Sequence, residues 1–154
     1  MSQDQTELDR KGDEGQMEEL TNRTRQFKVL IVEDSGLFRQ VFKETLQFRF
    51  PIIEIDEASN GEEALLKIET FNPDLIFMDI RLPGENGLEL TQRIKARHPK
   101  IIVTILTGYD LPEYKEVSDR YADYFFLKGS STPDSIFALV KSILLTNRKS
   151  NRRV

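Results

Sequence analysis

A chain of 154 residues, 38% hydrophobic and 31% charged with a net charge of −4, can enclose one core but not two, and that charge disfavours the broad basic surface on which nucleic-acid binding draws. The absence of cysteine removes disulfides, thiolate metal sites and cysteine nucleophiles together. No stretch approaches the roughly 20 apolar residues of a membrane span, and the polar, acidic first residues lack the apolar centre of a secretory signal, so a cytoplasmic protein is expected.

Residues 1–26 carry Asp, Glu, Gln, Thr, Gly and Arg without apolar periodicity. Burial there cannot offset the entropy of ordering, so a disordered acidic extension is expected ahead of a domain spanning 27–146. From Phe27 onward, short β-rich runs alternate with stretches of helical period, the pattern of βαβ units and a parallel sheet. Strands are expected at Lys28–Val32, Ile52–Asp56, Leu75–Met78, Ile101–Leu106 and Tyr124–Leu127. Several are apolar throughout, as strands covered on both faces are.

The first helix places Phe38, Val41, Phe42, Thr45 and Leu46 at i, i+3, i+4, i+7 and i+8. The last repeats that spacing at Ile136, Leu139, Val140, Ile143 and Leu144, so both should pack on the sheet. Asn60 with Glu63, and Asn86 with Glu89, have the spacing of an N-cap and its N3 carboxylate, and Thr132-Pro133 suits N-cap and N1. Between Leu111 and Tyr121 the apolar stripe is thin, Leu111, Tyr114, Val117 and Tyr121, which makes this the helix most free to shift. His98, the single histidine, stands at a helix end where it complements the dipole rather than binding metal. Residues 147–154 are basic and read as a solvated tail or linker.

Four polar signals, Glu33-Asp34, Asp79, Thr107 and Lys128, each sit at the end of an apolar run. The carboxyl ends of strands in a parallel α/β sheet converge on one crevice. These segments can therefore build one acidic pocket with a single lysine, a set suited to phosphoryl chemistry on Mg²⁺. Singly each has a plainer reading: a turn aspartate, a helix-start Glu-Asp, a solvated strand-end lysine. Their joint occurrence, in order, carries the assignment.

The runs Val29-Leu30-Ile31-Val32-Glu33-Asp34, Met78-Asp79-Ile80-Arg81-Leu82-Pro83-Gly84-Glu85-Asn86-Gly87, Leu106-Thr107 and Phe126-Leu127-Lys128 together resemble the receiver domain of two-component response regulators, from Phe27 to about Leu145. The resemblance implies an α/β, flavodoxin-like (βα)5 doubly wound parallel sheet of strand order 2-1-3-4-5. It implies that Asp79 is the nucleophile, taking a phosphoryl group from a sensor histidine kinase or a histidine phosphotransfer protein to give an aspartyl-phosphate. Mg²⁺ would be held by Asp34, Asp79 and the backbone carbonyl of Arg81, with Glu33 acting through water or as the second acidic partner. Lys128 and Thr107 would meet the phosphoryl oxygens.

Thr107 and Phe125 would form the switch, phenylalanine standing where many members have tyrosine and keeping the ring without the hydroxyl. The output surface would be the fourth helix, fifth strand and fifth helix, serving a downstream effector, an output domain or a phosphorylation-dependent homodimer. Arg81 and Tyr109, two residues after Asp79 and Thr107, are expected to flank the path of hydrolytic water and slow loss of the phosphate. Such a protein catalyses only its own phosphorylation and dephosphorylation, and is otherwise no enzyme.

Gly129 follows Lys128 where most receivers have proline, which leaves that peptide either trans or strained, since a non-proline cis bond costs about 3 kcal/mol. Lys128-Gly129-Ser130-Ser131 followed by Pro133 resembles the receivers of one large class of helix-turn-helix transcription regulators. Only the basic stretch follows, so either a stand-alone regulator or the receiver portion of something longer is expected, without direct nucleic-acid binding. A haloacid-dehalogenase-like phosphatase is disfavoured because its Asp-x-Asp would need an acid where Arg81 stands. A flavin-binding module is disfavoured because Glu33-Asp34 would repel the flavin phosphate. A phosphorylation-independent pseudo-receiver is disfavoured because every chemical position is filled.

Overall fold

The computed structural model describes residues 26–129 and 133–152. The expected extension over 1–25, the Thr132 cap, Ser130-Ser131 and residues 153–154 lie outside the described residues. Five parallel strands form one sheet: β1 (Lys28–Val32), β2 (Glu54–Ala58), β3 (Leu75–Met78), β4 (Ile102–Thr107) and β5 (Tyr124–Leu127), in the order β2-β1-β3-β4-β5. Between them run helices α1 (Gly36–Arg49), α2 (Gly61–Phe71), α3 (Gly87–Arg97) and α4 (Pro112–Tyr121), and α5 (Pro133–Arg152) follows β5. This is the flavodoxin-like doubly wound fold that the resemblance implied. Among the described residues no helix is long and apolar enough to cross a membrane.

Strand alternation sorts the core into two layers. Leu30, Val32, Ile76, Met78, Val103 and Ile105 pack with Ala64 and Ile68 of α2 and Leu90 and Ile94 of α3. On the opposite face Val29, Ile31, Leu75, Phe77 and Leu106 pack with Leu46 of α1 and Ile136, Val140 and Ile143 of α5. The periodic α5 therefore packs as expected. α1 does so only in part: Leu46 is buried and Phe38 and Phe42 lie against the core, but Val41 is 53% exposed. Val41 and Thr45 instead line an open apolar groove between α1 and α5.

Two strands lie later than expected. β2 begins at Glu54 rather than Ile52 because its charges are matched from both faces: Glu57 pairs with Arg39 and Lys43 of α1 at 3.2 Å each, and Asp56 with Lys67 of α2 at 2.7 Å. Ile53 is buried ahead of the strand, its amide donating to the Phe50 carbonyl at 3.2 Å. β4 starts one residue later than expected and ends on Thr107 itself. A two-residue antiparallel ribbon, Arg81–Leu82 with Glu85–Asn86, follows β3 and was not anticipated. α5 continues through Arg152, so its helical backbone runs into the basic stretch read as a tail.

The Asn60 and Asn86 caps form, with local variations. Asn60 Oδ1 accepts from the Glu63 amide at 2.8 Å, while the Glu63 carboxylate accepts from the Ser59 amide at 2.8 Å and the Ser59 hydroxyl at 3.1 Å. Those bonds hold the Glu63 pKa below the usual carboxylate range. Asn86 Oδ1 accepts from Leu88 at 2.8 Å, one residue short of the N3 amide. Asn60→Ala is expected to lower the unfolding free energy by about 1 kcal/mol, read as a lower urea midpoint with an unchanged m-value.

Candidate functional site

β1 and β3 are neighbours with Val32 opposite Met78, so the next residues, Glu33 and Asp79, emerge side by side at the carboxyl edge of the sheet. The Glu33 amide donates to the Ala58 carbonyl and the Asp79 amide to the Val32 carbonyl, both at 3.0 Å, each extending its ladder by one rung. Across β4 and β5 Thr107 lies opposite Leu127, and the Lys128 amide donates to the Thr107 carbonyl at 2.8 Å. The Lys128 side chain then reaches over two intervening strands. Its Nζ donates to Glu33 Oε2 at 2.5 Å and Asp79 Oδ2 at 3.3 Å.

Glu33 is 4% exposed, Asp79 7% and Thr107 fully buried, whereas Asp34 stands exposed at the rim. Helix α1 contributes the floor. The Phe38 ring centroid lies 4.3 Å from Lys128 Nζ, a cation–π contact, and Arg39 Nη1 donates to the Glu33 carbonyl at 2.6 Å. The structure thus joins Glu33, Asp79 and Lys128 directly, with Thr107 beside them and Asp34 next along the chain from Glu33.

Burial pushes the Glu33 pKa up; the Asp79 charge adds to the rise, while the bonds from Lys128 and the Ser35 amide oppose it. Both Asp79 oxygens are engaged, Oδ1 by the Ile80 amide at 2.8 Å and Oδ2 by Lys128, so the carboxylate is fixed in orientation. Two buried carboxylates share one ammonium and Asp34 adds a third negative charge at the rim, an imbalance that a divalent cation neutralises. Among the described residues no group of three or more His, Cys, Asp or Glu side chains is arranged as a metal cage. Mg²⁺ requires none, since it takes one or two carboxylates with waters and phosphate oxygens. The oxygen donors present fit it.

Arg81 is exposed, and its guanidinium carbon lies 3.5 Å from the Tyr109 ring centroid. The tyrosine side chains beside it, Tyr114 first and then Tyr109, push its pKa up. The Tyr109 amide donates to Thr107 Oγ1 at 3.3 Å. Phe125 is partly buried against the core layer that also receives Tyr114 and Ala122. No peptide among the described residues is cis, so Lys128-Gly129 is trans.

Two residues escaped the sequence reading. Tyr114 stood out only as part of a stripe, because its approach to Arg81 joins distant segments. Gly87 stood out only as part of the Asp79 motif, yet it is buried, donates its amide to the Ile80 carbonyl at 2.7 Å and abuts the Asp79 backbone. A glycine directly after an N-cap asparagine, where most helices carry a side chain, was the available signal.

Comparison with known proteins agrees with this fold. The family model described as response regulator receiver domain matches residues 29–141. The transcriptional regulatory protein LnrK of Bacillus subtilis is 33% identical over 117 residues, covering 75% of this chain and 53% of LnrK. The chain spans about half the length of such curated relatives. Among solved structures, a CheY-like receiver domain protein from Methanospirillum hungatei aligns with TM-score 0.72 at 28% identity, covering 81% of this chain and 98% of the other. The response regulator TrrA of Thermotoga maritima, solved in complex with Mg²⁺–BeF, aligns with TM-score 0.66 at 33% identity over 75% of this chain and 98% of TrrA.

Proposed function

The chain belongs to the response regulator receiver family, and from that membership we propose that Asp79 is its phosphoacceptor, loaded by a sensor histidine kinase or a histidine phosphotransfer protein. The observation that carries the reading is the Lys128 ammonium bridging Glu33 and Asp79 across the ends of β1, β3 and β5. An Asp79 oxygen attacks phosphorus, an O–P bond forms as the N–P bond to the donor histidine breaks, and the electron pair leaves with the imidazole. Lys128 is held where it can pass from Asp79 to a phosphoryl oxygen, and the Thr107 hydroxyl supplies a donor on the β4 side. Asp34, Asp79 and the Arg81 carbonyl, with Glu33 behind them, would hold Mg²⁺, which would supply the remaining charge neutralisation. The TrrA complex with Mg²⁺–BeF supports that choice of ion.

Phosphate draws Thr107 inward and Phe125 follows into the space left, altering the face made by α4, β5 and α5. That face addresses an effector, an output domain or a second copy of the chain; LnrK is itself a transcriptional regulator. Arg81 and Tyr109, stacked on each other, screen the phosphate from water.

Intact-mass measurement after incubation with acetyl phosphate should show one phosphate adduct that forms only with Mg²⁺ and maps to the peptide holding residue 79. A chain left unmodified under those conditions would be a pseudo-receiver, and the proposal would fall.

A further inference from the structure

Lys128 reaches its partners on a flexible four-carbon stem, and its backbone fixes only where that stem starts. On one side its amide donates to the Thr107 carbonyl. On the other stands Gly129, where an added Cβ would meet nothing among the described residues within 4 Å. The ammonium is therefore aimed by what touches it: the carboxylates of Glu33 and Asp79, and the Phe38 ring, whose centroid lies 4.3 Å from Nζ.

Phe38 is itself held through the strand that leads to Asp79. Its amide donates to the Ser35 hydroxyl that caps α1, at 3.3 Å. Its ring stacks on Phe42 with 5.8 Å between centroids and 17° between planes, and Phe42 meets Phe77 edge-on at 4.9 Å. Phe77 is buried on β3, two residues before Asp79. A file of three rings thus connects the lysine to the strand of the nucleophile.

We propose that Phe38 is the positioning residue for Lys128, its ring holding the ammonium at the distance from Asp79 that phosphoryl transfer needs. A ring face attracts the cation through its quadrupole and leaves the lysine's N–H donors to oxygen acceptors. It can therefore keep the ammonium in place while a donor passes from Asp79 to a phosphoryl oxygen. Asp79 cannot serve that purpose, because its carboxylate is what the reaction changes. The role in transfer rests on the phosphoacceptor reading, whereas the grip of the ring on the lysine does not.

Rates of adduct formation with acetyl phosphate and Mg²⁺, measured on the full chain, test the role. Phe38→Leu, which keeps apolar bulk and loses the ring face, should slow the reaction about three- to tenfold, the scale of a partly buried cation–π contact. Phe38→Tyr, which restores the face, should recover the parental rate. In a Lys128→Ala background Phe38→Leu should slow the reaction no further, because the ring acts through the lysine. A parental rate in Phe38→Leu, equal slowing in Phe38→Tyr, or the full loss repeated in the Lys128→Ala background overturns the proposal.

Proton NMR tests the grip alone. The Lys128 ε-methylene signal, assigned by its absence in Lys128→Ala, should lie upfield of the other lysines because the Phe38 ring shields it. It should return to their position in Phe38→Leu and stay shifted in Phe38→Tyr; an unshifted parental signal overturns the proposal. If the parent chain takes up no phosphate, the phosphoacceptor reading fails while this signal still decides whether Phe38 holds the lysine.

Discussion

Asp79→Asn is expected to take up no phosphate from acetyl phosphate and yet to unfold at a higher urea concentration than the parent chain, a gain of about 1 kcal/mol in the absence of metal. The parent holds two buried carboxylates against one ammonium, and the Asp79 charge is among the causes that hold the Glu33 pKa up. Neutralising residue 79 removes that repulsion. The substitution conserves volume, an asparagine Oδ1 can still accept from the Ile80 amide, and Lys128 keeps its closer partner, Glu33.

The same variant should lose most of the stabilisation that millimolar Mg²⁺ gives the parent, because a ligand stabilises only the state that binds it. Urea titrations with and without Mg²⁺ measure both effects. A variant less stable than the parent, or one equally responsive to Mg²⁺, would show that Asp79 is a structural member of the ion pair rather than a group held at a stability penalty for chemistry.

Much of this arrangement was legible because the core strands are apolar and the polar residues that end them are few. β1, β3 and β5 lie where the apolar runs end, so the positions of Glu33, Asp79 and Lys128 at the sheet edge followed from counting. β2 was misplaced by two residues for the opposite reason. Its sequence, Glu54 to Ala58, is mostly acidic, and only the cations of α1 and α2 make that composition suitable for a strand. Period alone could not separate Val41 and Thr45, which face a groove, from Leu46, which is buried in the core, because how far a helix wraps onto a sheet is decided by its neighbours. The Gly87 contact was hidden for a related reason: it joins segments whose approach is set by tertiary packing.

The Gly87 contact leads to the second large effect. Gly87→Ala is expected to lower stability by about 2–3 kcal/mol and, in the fraction that folds, to slow phosphorylation at least about tenfold. A methyl group at Gly87 would fall inside the van der Waals envelope of the Asp79 carbonyl oxygen, 2.9 Å from the carbonyl carbon and 3.0 Å from Ile80 Cα. All three atoms are backbone, so no rotamer change relieves the overlap. Either α3 withdraws, breaking the bond from the Gly87 amide to the Ile80 carbonyl, or the Asp79–Ile80 segment shifts and carries the nucleophile away from Lys128.

Gly84 provides the contrast. It has φ +70°, and a methyl group added there would meet nothing within 4 Å, so Gly84→Ala should incur only the strain of a left-handed backbone, about 1 kcal/mol, and phosphorylate at the parental rate. Urea unfolding and the rate of adduct formation, measured on both variants, separate the two mechanisms. Parental stability and rate in Gly87→Ala would mean that α3 and the end of β3 are not in contact as described, and the fixed orientation of Asp79 would need another explanation.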